Sequence, residues 1–154
     1  MIKMLVMDVD GTLTTGHIYM SAQGEYIKVF HAQDGYGIRN ILPKYNIVPV
    51  IITGRVSAIT EMRCKELGIA EVMQGQMDKI QALKQVMGKF QAECHEIAYI
   101  GDDLNDLECI KLCGITACPC NAVDEIKLQV DYVCEKEGGN GAVREFVDYL
   151  EKMV

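Results

Sequence analysis

"KMLVMDVDGTLTTG", residues 3–16, runs an apolar segment into two aspartates one residue apart, followed by a glycine and threonines. Lys3 to Met7 has the length and apolar character of a strand covered on both faces, as in a parallel sheet. Asp8 and Asp10 stand at its carboxyl end, the rim where open α/β sheets carry their ligands. Two carboxylates this close repel each other. Alone, such a pair is more often a solvated turn, but its position at the end of a buried strand makes it the place to look for a site.

Outward from this stretch, short apolar runs alternate with helix-period segments. "NIVPVIIT" (46–53), "EIAYIGD" (96–102), "GITAC" (114–118) and "VDYVC" (130–134) read as strands, and the segments 56–67, 77–90, 103–113 and 140–151 as helices. The βαβ series predicts an α/β fold, a doubly wound parallel sheet with helices on both faces. "HIYMSAQGEYIKVF" (17–30) departs from it, with two β-prone runs around a glycine-containing turn, the pattern of a β-hairpin. No repeat or linker divides the chain, so one domain over 1–154 is expected.

The composition excludes several classes. A chain of 154 residues with 49% hydrophobic residues has enough apolar surface for one sizeable core. Its net charge of −7 argues against nucleic acid as a partner, since phosphate backbones are bound by basic faces. No basic segment leads into an apolar run with a cleavage site, and no stretch approaches the roughly 20 apolar residues of a membrane span. A cytoplasmic protein without a membrane partner is the expectation. Seven cysteines, an odd number without paired C-x-x-C spacing, fit core thiols in a reducing compartment.

Three further polar clusters fall at strand or helix ends. Thr53, Gly54 and Arg55 follow the second central strand, Asp102, Asp103 and Asp106 follow a later one, and Lys79 opens a helix between them. A doubly wound sheet can bring these positions to Asp8 and Asp10. Carboxylates crowded in this way are tolerable around a divalent cation, and an all-oxygen site with few protein ligands suits Mg²⁺.

"DVDGT" (8–12), "TGR" (53–55), Lys79 and "GDDLND" (101–106) resemble, in order and spacing, the four motifs of the haloacid dehalogenase superfamily of phosphohydrolases. The resemblance implies that Asp8 is a nucleophile forming an aspartyl-phosphate, and Asp10 the general acid and then base. It gives the Mg²⁺ to Asp8, the Asp10 carbonyl and Asp102, the phosphoryl oxygens to Thr53 and Lys79, and to Asp103 and Asp106 the orientation of the metal's waters or of Lys79. Neither motif gap has room for a cap domain, so the hairpin is the candidate cover for the site, anchored against a neighbouring subunit.

"TGHIYMSAQGEYIKVF" (15–30), "DGYGIR" (34–39), "RCKELGI" (63–69), "QGQMDK" (74–79) and "GGNGAVREF" (138–146) are similar to the capless, tetrameric 3-deoxy-D-manno-octulosonate 8-phosphate phosphatases of lipopolysaccharide biosynthesis. That likeness implies a homotetramer acting on a sugar acid phosphate. It places Asp10, Lys79, Arg39, Arg55, Arg63 and the loop His31, Ala32, Gln33, Asp34 and Gly35 at the substrate. Arginine suits the sugar's carboxylate because its planar fork makes two parallel bonds. His31 and Gln33 depart from the Asn and Arg common in that subgroup, and little tail follows Arg144. Phosphatases of nine-carbon acids such as N-acetylneuraminate 9-phosphate are the alternative, and a regulatory module without turnover a minor one. His31 also reads as a helix cap, Arg63 as a solvated charge, and Asn140 as the cap of the last helix.

Overall fold

Strand β1 (Met4–Met7) is buried along its whole length and has parallel partners on both sides. The chain, seen here in a computed structural model that describes residues 1–153, continues into the hairpin β2 (Tyr19–Ser21) and β3 (Gly24–Ile27). Helix α1 (Ala32–Tyr36) runs on through a π turn and a 3-10 turn to Tyr45. Then follow β4 (Val48–Ile52), α2 (Ala58–Leu67), β5 (Glu71–Met73), α3 (Lys79–Phe90), β6 (Ile97–Ile100) and α4 (Leu107–Leu112). The chain closes with β7 (Ile115–Cys118), α5 (Asp124–Lys127), β8 (Tyr132–Val133) and α6 (Ala142–Glu151).

The six-stranded sheet has the order β5-β4-β1-β6-β7-β8 and every pairing in it is parallel. Its order reverses beside β1, so the crevice at that strand's carboxyl end is the natural ligand site. Leu5 and Met7 face a core layer with Leu67, Phe146 and Val147, while Met4 and Val6 face the other layer with Leu83, Val86 and Ile110. Truncating Met4, Leu5 or Met7 to alanine would cost roughly 2–5 kcal/mol. The central strand thus holds its terminal aspartate in a fixed place.

The expected α/β architecture is present, with an antiparallel hairpin inserted after β1 and no separate cap among the described residues. The differences are local. Segment 103–113 begins as a 3-10 turn, Leu104–Asp106, before α4. The one-turn α5 was not anticipated, being too short to show a helical period. Asn140 does not cap the last helix: Gly141 is the N-cap, at φ 104°, with no side-chain bond. Asp34 Oδ1 instead accepts the Arg144 N–H at 2.8 Å, a cap supplied from the far end of the chain. All seven cysteines are free, and burial pushes the Cys64 and Cys118 thiols up to about 11. No described helix is long and apolar enough to cross a membrane.

Candidate active site

The chain leaves β1 at Asp8 and turns at once. The N–H groups of Thr12, Leu13 and Thr14 all donate to the Val9 carbonyl, at 2.9–3.2 Å, which folds Asp10 back over the strand end. Gly11 makes the turn possible. It sits at φ 91°, and a Cβ there would stand 2.0 Å from Asp102 Oδ2. Asp102 follows β6, the strand paired to β1, and Thr12 Oγ1 donates to its Oδ1 at 3.4 Å. Thr53 follows β4 on the other side and is buried.

Lys79 begins α3 and is buried, its Nζ 2.9 Å from Asp8 Oδ1 and 2.8 Å from Asp106 Oδ1. Asp106 has no capacity left for another partner. Its Oδ1 also accepts the Tyr99 hydroxyl at 2.7 Å, and its Oδ2 the N–H groups of Asp102 and Asp103 at 3.0 and 3.3 Å. Its contacts hold the Lys79 ammonium and the 102–103 backbone. Asp103 is exposed and accepts the Leu104 N–H at 2.7 Å.

A cavity of about 320 Å³ opens above these groups, lined by Asp8, Asp10, Thr53, Arg55, Asp102 and Asp103 among others. Its charges are unbalanced. Burial pushes Asp8 upward, the Asp106 carboxylate adds to this, and Lys79 offsets part of it. Burial and then Asp8 push Asp102 up to about 8. Burial alone would lower Lys79, yet its two carboxylate partners hold it above the ordinary lysine range as a permanent ammonium. Oxygens of Asp8, Asp102 and Asp106 lie within 4.8 Å of one another. With Asp106 saturated, Asp8 and Asp102 are the two carboxylates with capacity for a cation. A hard divalent ion fits this all-oxygen donor set, and its charge would offset the burial and the repulsion that raise both groups.

The hairpin supplies two groups that sequence reasoning missed. Lys28 Nζ reaches Asp10 Oδ1 at 2.5 Å and Glu25 Oε2 at 3.0 Å, and its side chain is only 2% exposed. Glu25 Oε1 accepts the Ser57 hydroxyl at 2.9 Å, and Arg55 stands 3.5 Å from Oε2. Burial would raise Glu25, but its bonds to Lys28 and Ser57 leave it lowered. The only sequence signal was a Glu and a Lys three apart in an otherwise apolar and aromatic run.

The remaining sequence candidates fall in a separate patch. His31 is the N-cap of α1 and accepts the Gln33 N–H at 3.3 Å; Ala32 and Gln33 are exposed. Asp34 is buried, with Oδ2 unpartnered, and Gly35 packs against the Arg63 guanidinium. Arg63 stacks over Phe30 and pairs with Glu66, while Arg39 donates to the Glu66 carbonyl at 2.8 Å. Of the three arginines, Arg55 alone lines the carboxylate cavity.

A family model described as haloacid dehalogenase-like hydrolase matches residues 51–146. The 3-deoxy-D-manno-octulosonate 8-phosphate phosphatase of Salmonella typhi is 42% identical over 149 residues, 97% of this chain and 79% of the relative. Among solved structures, that phosphatase from Moraxella catarrhalis, in complex with magnesium, phosphate and KDO, superposes with a TM-score of 0.94 at 42% identity. The match covers 98% of this chain and 86% of that one. The cobalt-bound enzyme from Haemophilus influenzae gives a TM-score of 0.94 at 37% identity, covering 98% and 88%. With its uncapped sheet and its four motif clusters gathered at one rim, this chain belongs to the haloacid dehalogenase-like hydrolases, in their capless phosphatase branch.

Proposed function

We propose that the chain is a Mg²⁺-dependent phosphatase that hydrolyses 3-deoxy-D-manno-octulosonate 8-phosphate, a step of lipopolysaccharide biosynthesis in the cytoplasm. The observation that carries the reaction type is the buried Asp8–Lys79–Asp106 chain of contacts at 2.9 and 2.8 Å, whose Asp8 lines one open cavity with Asp10 and Asp102. The identity to the curated enzymes over nearly the whole chain supports the substrate.

Asp8 attacks phosphorus in line and is phosphorylated; the bond to the sugar oxygen breaks as the new one forms. Lys79 fixes the Asp8 carboxylate and supplies positive charge to the phosphoryl oxygens, and Thr53 holds another of them. Asp10 gives a proton to the departing sugar oxygen, then takes one from the water that hydrolyses the aspartyl-phosphate. Asp8, the Asp10 carbonyl and Asp102 would hold the Mg²⁺, whose charge shields the attacking carboxylate from the anionic phosphate. Asp103 faces the cavity where it can orient water. Arg55 meets the keto-acid end from within the chain. Arg39, Arg63 and the 31–35 loop lie outside the cavity of their own chain, so a neighbouring subunit would present them. That arrangement is a homotetramer of single-domain chains.

The test is phosphate release from the eight-carbon and nine-carbon keto-acid phosphates and from p-nitrophenyl phosphate, with Mg²⁺ or EDTA, for wild type and Asp8→Asn. The eight-carbon substrate should show the highest kcat/KM, and both EDTA and Asp8→Asn should lower it by about 10³-fold or more. Preference for the nine-carbon acid would reassign the substrate, and an active Asp8→Asn the nucleophile.

A further inference from the structure

The hairpin is joined to the site by charge, and the bond it makes falls on the proton-transfer residue. Lys28 leaves the end of β3 and buries its ammonium between Asp10 Oδ1 and Glu25 Oε2. Glu25 is held in turn by the Ser57 hydroxyl, at the N-cap of α2, and by Arg55. Lys28 therefore has two carboxylate partners, one on the hairpin and one in the site, and its side chain is buried. Asp10 Oδ1 is occupied by this contact. Asp10 Oδ2 accepts no hydrogen bond from any described residue, and Arg55 Nε stands 4.0 Å from it.

We propose that Lys28 is a positioning residue for the acid–base step: by clamping Asp10 Oδ1 it presents Oδ2 as the oxygen that gives and takes the proton, with Glu25 as the strut that keeps Lys28 in place. The proposal rests on the reading of Asp10 as the general acid and deepens it. A carboxylate on a turn can rotate about its two side-chain torsions. Proton transfer requires one oxygen within hydrogen-bond reach of the leaving group. A charge-assisted bond to one oxygen removes that freedom, and it does so only when the hairpin is seated. Seating of the hairpin and readiness of the acid are thus one event. A buried lysine is suited to the task because its ammonium bridges two carboxylates that would otherwise repel each other.

The step that Lys28 serves matters in proportion to the basicity of the leaving oxygen. A sugar alkoxide needs the proton, whereas p-nitrophenolate leaves without one. The experiment compares wild type, Lys28→Met, Lys28→Arg, Glu25→Gln and Asp10→Asn on 3-deoxy-D-manno-octulosonate 8-phosphate and on p-nitrophenyl phosphate. A misplacement of about 1 Å costs on the order of 10²-fold, so Lys28→Met should lose about that much kcat on the sugar phosphate. KM should stay within about threefold, and the loss on p-nitrophenyl phosphate should be about tenfold smaller than on the sugar. Lys28→Arg should recover part of the loss, and Glu25→Gln should show the same selectivity at smaller size. If Lys28→Met does not fold, Glu25→Gln and Lys28→Arg carry the same comparison. Equal losses on the two substrates, or a loss confined to KM, would overturn the role of Lys28. Asp10→Asn separates the two readings. If it is selective against the sugar phosphate while the Lys28 variants are not, the acid stands and the clamp falls; if Asp10→Asn shows no selectivity, the acid assignment itself falls.

Discussion

At the scale of single residues, the site is a set of carboxylates that the fold holds together against their own repulsion. Asp102 shows what this does to stability. In the metal-free protein, burial and the Asp8 carboxylate push it from 3.8 up to about 8. Between those values the folded protein keeps a proton that the unfolded chain has released. Stability therefore falls as pH rises through that window and levels off above about 8. Melting in EDTA between pH 5 and 8.5 should show Tm declining toward the alkaline end, a slope that Asp102→Asn makes shallower and saturating Mg²⁺ offsets. A metal-free Tm that climbs over this range would contradict the assignment. The motif residues Asp8, Asp10, Thr53, Lys79 and Asp102 were legible in the sequence because each directly follows an apolar run or opens a helix. Glu25 and Lys28 were not, because their meaning depends on where the folded hairpin lands, which no local pattern records.

At the scale of elements, two loops brought together from opposite ends of the chain support the catalytic turn. Gly138 and Gly139 lie against the backbone of Gly11 to Thr15, and Gly139 donates its N–H to the Thr12 carbonyl at 3.2 Å. A Cβ on Gly138 would stand 2.0 Å from the Gly11 oxygen and 2.9 Å from the Thr14 oxygen. Both are backbone atoms that cannot swing aside. Gly138→Ala should cost roughly 1–3 kcal/mol, a Tm drop of about 5 °C, and should lower kcat because the displaced loop carries Asp10. Gly88→Ala, in the exposed part of α3 with open space around the new methyl, is the control and should keep or raise Tm. Equal melting of the two variants would remove the support from "GGNG". The strands were readable because buried parallel strands are continuous apolar runs. The cap of α6 was misread because its acceptor, Asp34, is remote in sequence, and local capping rules see only neighbours such as Asn140.

At the scale of the whole molecule, an open cavity and an apolar hairpin imply each other's remedy. Met20, Tyr26, Ile27 and Val29 are all exposed, Tyr26 by 61%, on or beside a hairpin whose two strands pair with no other strand among the described residues. Contact between subunits would cover both hairpin and cavity. Ile27→Glu with Val29→Glu should convert the assembly to monomers in sedimentation, with activity on the sugar acid phosphate falling more than on p-nitrophenyl phosphate. A wild-type monomer with full activity on the sugar would sink the idea. Alternation along β1 has a separate consequence. Because one strand sends Leu5 and Met7 into one layer and Met4 and Val6 into the other, neither layer can loosen without exposing the spine of both. Each layer also carries two buried thiols, Cys64 and Cys134 on one side, Cys109 and Cys118 on the other. These are built-in timers of opening: under mild denaturant all four should be captured by a thiol reagent at a single rate, so that the two halves of the interior breathe as one body.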